Sequence, residues 1–488
     1  MGSVTTAVVV GAAIAVLPLT TIGLILGVIA LGILSIISPL TLVICMVIIA
    51  PIRTLFATES PVQIPLDAGQ WLLIGAFLVW FAHRIAFQQI LPRVRVTPVF
   101  LSVLVFVVGS AFSAFSAYSM SAWITEWMKW LQILALILMI GDLAVRRAWE
   151  WIVFALVVAA LTNSITGIYE YFGGSGALHL IVNERNFRAF GTFGQPNPFA
   201  GFMGLIAPLA LVAAIGYGIR AWKLWRHQHS RAVQNGFIAG FYLASFGVIS
   251  AGLYMSYSRG AWLGFAVSIL ALMAALPRKL WQGIALFAVV ALIGTAAWFS
   301  GKLPASLVDR VNSATQETFS FSDVRGVDIT TANYALVERL AHWQAALNMI
   351  EVHPWLGVGL GNYETAYPEF RLLYWTFPLG HAHNYYLNVF AETGIIGLVS
   401  YLILWGAVLV HTWWTTRRQP DPLGRIIAVG LLASWIYLAV HSLTDNLYVN
   451  NLFIHVGVML GLLAALSPTL FVRSVGKRIA WGKRIPMN

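Results

Sequence analysis

Eleven apolar stretches, each close to twenty residues long, follow one another after position 51: 69–88, 98–117, 122–142, 149–172, 197–217, 237–257, 260–277, 281–299, 386–412, 426–443 and 451–467. A helix needs about twenty apolar residues to cross a bilayer core, and backbone inside lipid stays hydrogen-bonded only as a helix or a closed barrel. Runs of this length select the helix. Residues 4–51 add one apolar block interrupted by Pro18 and Pro39, with room for one to three passes. The expectation is an all-α polytopic transmembrane bundle of about 12–13 spans. Composition agrees, since 59% of the residues are apolar and only 10% charged. The first apolar segment has no basic lead and no clear small-residue cleavage site, and is expected to be retained. Cys45 is the only cysteine, which excludes internal disulfides and cysteine metal sites.

A net charge of +11 raises nucleic acid as a partner, but the placement of the cations argues for topology instead. Arg84, Arg93 and Arg95 fall in one short loop, and Arg146 and Arg147 in the next. Arg220, Lys223, Arg226 and Arg231 mark a third, Arg278 and Lys279 a fourth, and Arg417, Arg418 and Arg425 a fifth. The tail carries Arg473, Lys477, Arg478, Lys483 and Arg484. These groups hold 19 of the 29 cations, and an even number of spans separates each from the next. Short loops rich in Lys and Arg stay in the cytoplasm, so no nucleic-acid partner is expected. The same bookkeeping places 173–196, 257–260, 300–385 and 444–451 outside. The chain then divides into N-terminal membrane helices (1–299), one large extracytoplasmic loop (300–385), C-terminal membrane helices (386–467) and a basic cytoplasmic tail (468–488). In the loop, Leu336, Leu340, Trp343, Leu347 and Ile350 recur at helical spacing and Pro354 ends the run, which predicts an amphipathic helix over 333–352.

Polar residues from distant segments all fall on that outer side. Arg259 sits in YSRGAW, and Arg185 and Arg188 in NERNFRAFGTFGQPNPF. Arg339 lies on the amphipathic helix. His381, His383 and Asn384 lie in GHAHNYYLNVFAETG, and Asp445 in HSLTDNLYVNN. Each also has a plain structural reading. Arg259 reads equally well as an anchor reaching for the interface, Arg339 as a solvated helix face, and Arg185 as a partner for Glu184. A histidine at a helix start is more often a satisfied interface residue than a base. Asp445 with Asn446 reads as a helix cap. Asn384, Asn388 and Glu392 form one polar stripe at i, i+4 and i+8. A carboxylate inside a span points to function or to tight pairing, and a structural hydrogen-bond network serves as well. The glycines of GVGLGNY lack the spacing of a phosphate loop and read as a turn.

At these residues the chain resembles the O-antigen ligase and polymerase superfamily of bacterial surface-polysaccharide enzymes. The SRGAW turn, the run ERLAHWQAALNMIEVHPWLGVGLGNY and the segment HAHNYYLNVFAETGIIGL carry the resemblance, in the family's order, over roughly residues 185–465. The resemblance implies a glycan donor linked to undecaprenyl pyrophosphate at the outer face of the cytoplasmic membrane. It implies an acceptor that is lipid A-core for ligases, another lipid-linked repeat unit for polymerases, and protein for related enzymes. It implies that His383, in the motif HN, is the catalytic base and that Asp445 is a functional acid. Arg259 becomes a pyrophosphate-binding arginine, with Arg188 or Arg339 as the second. His381, Asn384 and Glu392 support the site.

The residue types suit that chemistry. A pyrophosphate is already a good leaving group, so no protein nucleophile is required, and arginine forks match its oxygens. Imidazole takes the acceptor proton near neutral pH, and with an ordinary pKa of about 6.5 the rate would rise through that pH. Direct displacement at the anomeric carbon inverts it. No dense acidic cluster marks a metal site, so neither metal nor cofactor is expected. Ligase ranks ahead of polymerase. A lipid-glycan flippase or transporter ranks lower, because the two halves show no repeat. A peptidoglycan polymerase of the shape, elongation, division and sporulation type also ranks lower, because the HxHN and SRG motifs favour the O-antigen group.

Overall fold

A computed structural model describes residues 32–52, 68–88, 96–144, 147–174, 181–182, 186–301, 308, 323–330 and 333–468. Pro18, Arg93, Arg95, Arg146, Arg185 and the cations of the tail lie outside the described residues. The helices are α1 Pro39–Ile49, α2 Ala68–Gln88, α3 Pro98–Ala111, α4 Met120–Leu143, α5 Trp149–Tyr171, α6 Pro196–Arg226, α7 Arg231–Met255, α8 Arg259–Ala275 and α9 Leu280–Phe299. They continue with α10 Tyr334–Val352, α11 Tyr363–Phe370, α12 Tyr385–Arg418, α13 Pro422–His441 and α14 Leu452–Leu466. The described residues thus form an all-α polytopic bundle. Among them nine helices are long and apolar enough to cross a membrane, and shorter apolar helices run Pro39–Ile52, Arg259–Ala275 and Leu452–Leu466.

Each of the eleven apolar stretches coincides with one helix. Where α6, α7 and α12 outrun their stretches, polar sequence continues the helix, and α3 ends early, at Ala111, where a 3-10 turn Phe112–Ser116 takes over. α6 runs on through Lys223 and Arg226 in its last turn, where cations favour a helix C-terminus. Starts are set by local chemistry. Pro39, Pro98, Pro196 and Pro422 each open a helix, a position that needs no N–H donor. Thr97 and Asp421 cap α3 and α13 by accepting from Phe100 N and Gly424 N. α6 is the most enclosed span and packs against α5, α7, α8 and α13. α12 packs on α3 and α13, and α14 on α4. Two short antiparallel strands, β1 Ile181–Val182 and β2 Asn186–Phe187, pair ahead of α6.

α12 is broken. Gly394 holds φ 62° and ψ −167°, and a Cβ there would meet the Trp355 backbone at 2.2 Å. The break frees two carbonyls and one N–H that a second segment uses. Val358 N donates to Ala391 O at 2.9 Å, Gly359 N to Glu392 O at 2.8 Å, and Ile395 N to Pro354 O at 2.9 Å. Gly357, at φ 67°, passes so close that a Cβ would lie 2.3 Å from the Glu392 carbonyl carbon. The turn after α10 is therefore stitched into the start of α12, and so fixes the HAHN segment that precedes it.

Candidate active site

The residues His381 to Asn384 form a tight turn at the head of α12. Asn384 caps the helix, its side chain accepting from Tyr386 N at 3.1 Å and Leu387 N at 3.2 Å. One turn on, Asn388 Oδ1 accepts from the buried Ala382 N at 3.0 Å. Tyr385 N donates to Ser442 O at 2.8 Å, which ties the turn to the end of α13. His383 sits at φ 53°, the left-handed region, which costs a non-glycine residue about 1–2 kcal/mol. That conformation lets His383 N donate to Nδ1 of His381 at 3.0 Å. With Nδ1 accepting, a neutral His381 carries its proton on Nε2, and Nε2 faces Asp445 Oδ1 at 3.4 Å. Both nitrogens of His381 are thus engaged. His383 Nδ1, by contrast, is buried with no hydrogen-bond partner among the described residues.

Two histidines not singled out from the sequence complete the group. His342, on α10, stands edge-on to the His383 ring with centroids 5.7 Å apart, and its Nδ1 lies 3.0 Å from the Tyr363 hydroxyl. His441, on the last turn of α13, lies 2.9 Å through Nδ1 from the Tyr437 hydroxyl, which also donates to Ala200 O at 2.9 Å. Spacing is the signal that finds them: His342 is one turn beyond Arg339, and His441 one turn before Asp445. Arg339 acts electrostatically on His381, His383, His441 and Asp445 together.

Burial decides the protonation of this group. It lowers His383 to about 3, assisted by His381, Arg339 and His342 and opposed by Asp445. Burial also lowers His381, with Asp445 opposing, and takes His342 to about 4. Asp445 stays below its ordinary range: burial works to raise it, and the surrounding imidazoles with Arg339 outweigh that. At neutral pH these surroundings favour the uncharged form of the three imidazoles outside the spans. With these surroundings, the rate increase through pH 6.5 that an ordinary imidazole would give is not expected of His383.

The other arginines converge on the same end of the bundle by different routes. Arg259 opens α8, and the next residue, Gly260, abuts the loop after α13. A Cβ on Gly260 would lie 2.0 Å from the Thr444 hydroxyl, beside Asp445. Arg188 donates from Nε to Ser256 O at 2.9 Å and from Nη2 to Asn197 Oδ1 at 3.2 Å. It thereby joins the segment before α6 to the turn that carries Arg259. Ala189 N adds a bond to Met255 O at 3.0 Å.

Glu392 has a structural job. Its carboxylate accepts from Gly361 N at 2.9 Å and Tyr363 N at 3.2 Å, and so holds the glycine turn against α12. It also borders a cavity of about 570 Å³ that opens beside His381. Glu126, Lys129, Glu364, Asn388, Asn446 and Asn450 supply much of its polar lining. Arg188, Arg259 and Arg339 are absent from that lining, so the cavity is separate from the arginine groups. His381, His383 and Asp445 each present one ligand atom, all within 4.8 Å of one another, and such a trio could hold a metal ion. Folding gathers this trio from two segments, the HAHN turn and the loop after α13, so no acidic cluster in the sequence marks it.

Fold and cluster together define the class: a multi-pass membrane protein in which histidines, arginines and one carboxylate meet at one end of the helical bundle. Within that class, residues 243–402 match the family described as O-Antigen ligase, and the match supports placing the chain in the O-antigen ligase superfamily. A search of curated proteins gave no match. The matched segment contains Arg259, Arg339, His381, His383, Asn384 and Glu392, while Arg188 and Asp445 lie outside it.

Proposed function

We propose that this O-antigen ligase or polymerase-type membrane enzyme transfers a glycan from undecaprenyl pyrophosphate to an acceptor hydroxyl, at the outer face of the cytoplasmic membrane. The carrying observation is the unpartnered, buried Nδ1 of His383 beside the His381–Asp445 pair and within the field of Arg339. His383 takes the proton of the acceptor hydroxyl as its oxygen bonds to the anomeric carbon. The bond from that carbon to the pyrophosphate oxygen breaks, and the electron pair leaves with the carrier. Displacement in one step inverts the anomeric carbon. Arg259 and Arg339 hold the developing pyrophosphate charge, and Arg188 braces the turn that presents Arg259. Arginine suits this role because its planar fork meets two phosphate oxygens at once.

His381 and Asp445 position His383 rather than react: His381 receives the His383 backbone N–H, and Asp445 faces the opposite nitrogen of His381. The amide- and carboxylate-lined cavity beside His381 suits sugar hydroxyls better than phosphate. No step of this scheme calls for a metal, so the reaction is read as metal-independent. The acceptor is taken to be lipid A-core, the ligase reaction; joining of lipid-linked repeat units is the second reading. Deleting the gene and separating the surface glycans by size tests both. Loss of all polymer from lipid A-core, with carrier-linked polymer retained, supports the ligase. Single repeat units left on the core support the polymerase. An unchanged glycan profile overturns both.

A further inference from the structure

At the other end of the bundle lies a cavity of about 1210 Å³ that the reaction does not use. The helices that frame it are the ones that lead to the site. α5 carries Glu150 at the cavity and Glu170 at the far end, where Glu170 accepts from Phe190 N at 2.9 Å and Gly191 N at 2.6 Å, next to Arg188. Twenty residues of helix span about 30 Å, the thickness of a bilayer core. α6 repeats the relation, with Pro198 at the cavity beside His381 and Tyr217 and Arg220 at this one. The cavity therefore opens at the opposite membrane boundary.

Its chemistry is two-sided. Leu40, Phe154, Ile238 and Phe241 give it an apolar wall, continued by Trp151 and Phe237, which are 58% and 76% exposed. Arg147, Arg220 and Arg231 give it a cationic rim. Glu150 is the lone acid among the lining residues, and it is already occupied, by Arg147 on one oxygen and the Tyr217 hydroxyl on the other. Tyr217 in turn stacks on Tyr242 at 5.7 Å. Arg220 and Arg231 have no ion-pair partner among the described residues, so the rim keeps two uncompensated guanidinium groups.

We propose that this cavity is a binding site for an anionic glycerophospholipid, with the headgroup phosphate on Arg220 and Arg231 and the first acyl carbons against Trp151, Phe154 and Phe237. Charge complementarity selects an anionic head. A zwitterionic head would bring its own cation toward the guanidinium groups. A free phosphate would leave the aromatic wall without a partner. Basic pockets between membrane helices recognise lipid headgroups by this combination. The volume exceeds the roughly 300–1,000 Å³ of small-molecule sites, which leaves room for a glycerophosphate and the chains that begin on it.

The test uses the full chain, purified in detergent and stripped of lipid, then titrated with phosphatidylglycerol or phosphatidylcholine and read by native mass spectrometry. The wild type is expected to retain phosphatidylglycerol in preference. Replacing Arg220→Gln and Arg231→Gln together should weaken that retention about 25-fold, at about fivefold per arginine near a headgroup. Lys223→Gln, which removes a nearby cation outside the cavity, should leave it unchanged. Arg231→Gln alone, at an exposed position, keeps the question open to measurement if the double variant folds poorly, because the preference between the two lipids is read within each protein. Equal retention of the two lipids by the wild type overturns the proposal. So does phosphatidylglycerol retention that survives both arginine changes, or that falls as far with Lys223→Gln. Displacement of phosphatidylglycerol by an equal concentration of polyprenyl phosphate, or by inorganic phosphate, overturns the choice of occupant.

Discussion

Lowering the pH of a transfer assay from 7.5 to 5 tests the surroundings that the fold gives His383. With an ordinary imidazole pKa of about 6.5, the neutral fraction falls from about 0.9 to about 0.03, and a rate that needs neutral imidazole drops about 30-fold. Burial and the neighbouring His381 and Arg339 set His383 at about 3. The neutral fraction then stays near 1 at both pH values, and kcat/KM is expected to hold within about twofold. The lipid-linked pyrophosphate is esterified at both ends and has no proton to exchange in this range. The sign for the complex is opposite in tendency. Negative charge on bound pyrophosphate favours the imidazolium and raises its pKa, so the acid limb of kcat should lie at higher pH than that of kcat/KM. Two variants test the cause. Arg339→Gln removes a cation that opposes protonation, and the acid limb of kcat/KM should move up. Asp445→Asn removes an anion that favours it, and the limb should move down. The assay is the purified enzyme in nanodiscs with lipid-linked donor and acceptor, product being followed by gel and donor binding measured separately. A fall of about 30-fold in kcat/KM centred near pH 6.5, absent from the residual activity of His383→Ala, refutes the burial argument. Full activity in His383→Ala refutes the base itself.

Arg259→Lys keeps the charge and loses the fork, so transfer should fall about ten- to a hundredfold, the loss of about 1.5–3 kcal/mol in one charge-assisted hydrogen bond; near-normal transfer by Arg259→Ala would show an interfacial anchor instead. His381→Ala should cost less than the roughly 10²–10⁴-fold expected for His383→Ala, because His381 acts through the His383 backbone; equal losses in kcat would place both rings in the chemistry. Glu392→Leu leaves the buried Tyr363 N–H and the half-buried Gly361 N–H without their acceptor, an expected loss of about 1–4 kcal/mol of stability, read as a lowered unfolding temperature in detergent; an unchanged temperature would free Glu392 for a direct role. Dialysis against a chelator should leave transfer unchanged, and a loss restored by one divalent ion would turn the His381, His383 and Asp445 trio into a metal centre.

The spans were readable because crossing a membrane imposes a length and a composition together, and no neighbouring helix has to be known to see either. The amphipathic run was readable for a related reason: Leu336, Leu340, Trp343 and Leu347 mark one face, and the helix Tyr334–Val352 follows from them. The break at Gly394 was not readable. An apolar count runs straight through TGIIG, and what forces the break is the Trp355 backbone, thirty-nine positions earlier in the chain, in the space where a Cβ would project. The site divides in the same way. That Arg259, Arg339, His383 and Asp445 share one end of the bundle follows from parity of spans and from motif order. What each does follows from contacts that only folding creates. Glu392 reads from sequence as an expensive intramembrane carboxylate, and it acts as the acceptor that closes a glycine turn. His381 and His383 look interchangeable in HAHN until a left-handed backbone at His383 commits one ring to the other's N–H. That single bond assigns His381 its tautomer, turns its proton toward Asp445, and leaves His383 as the imidazole of the motif with a nitrogen to spare.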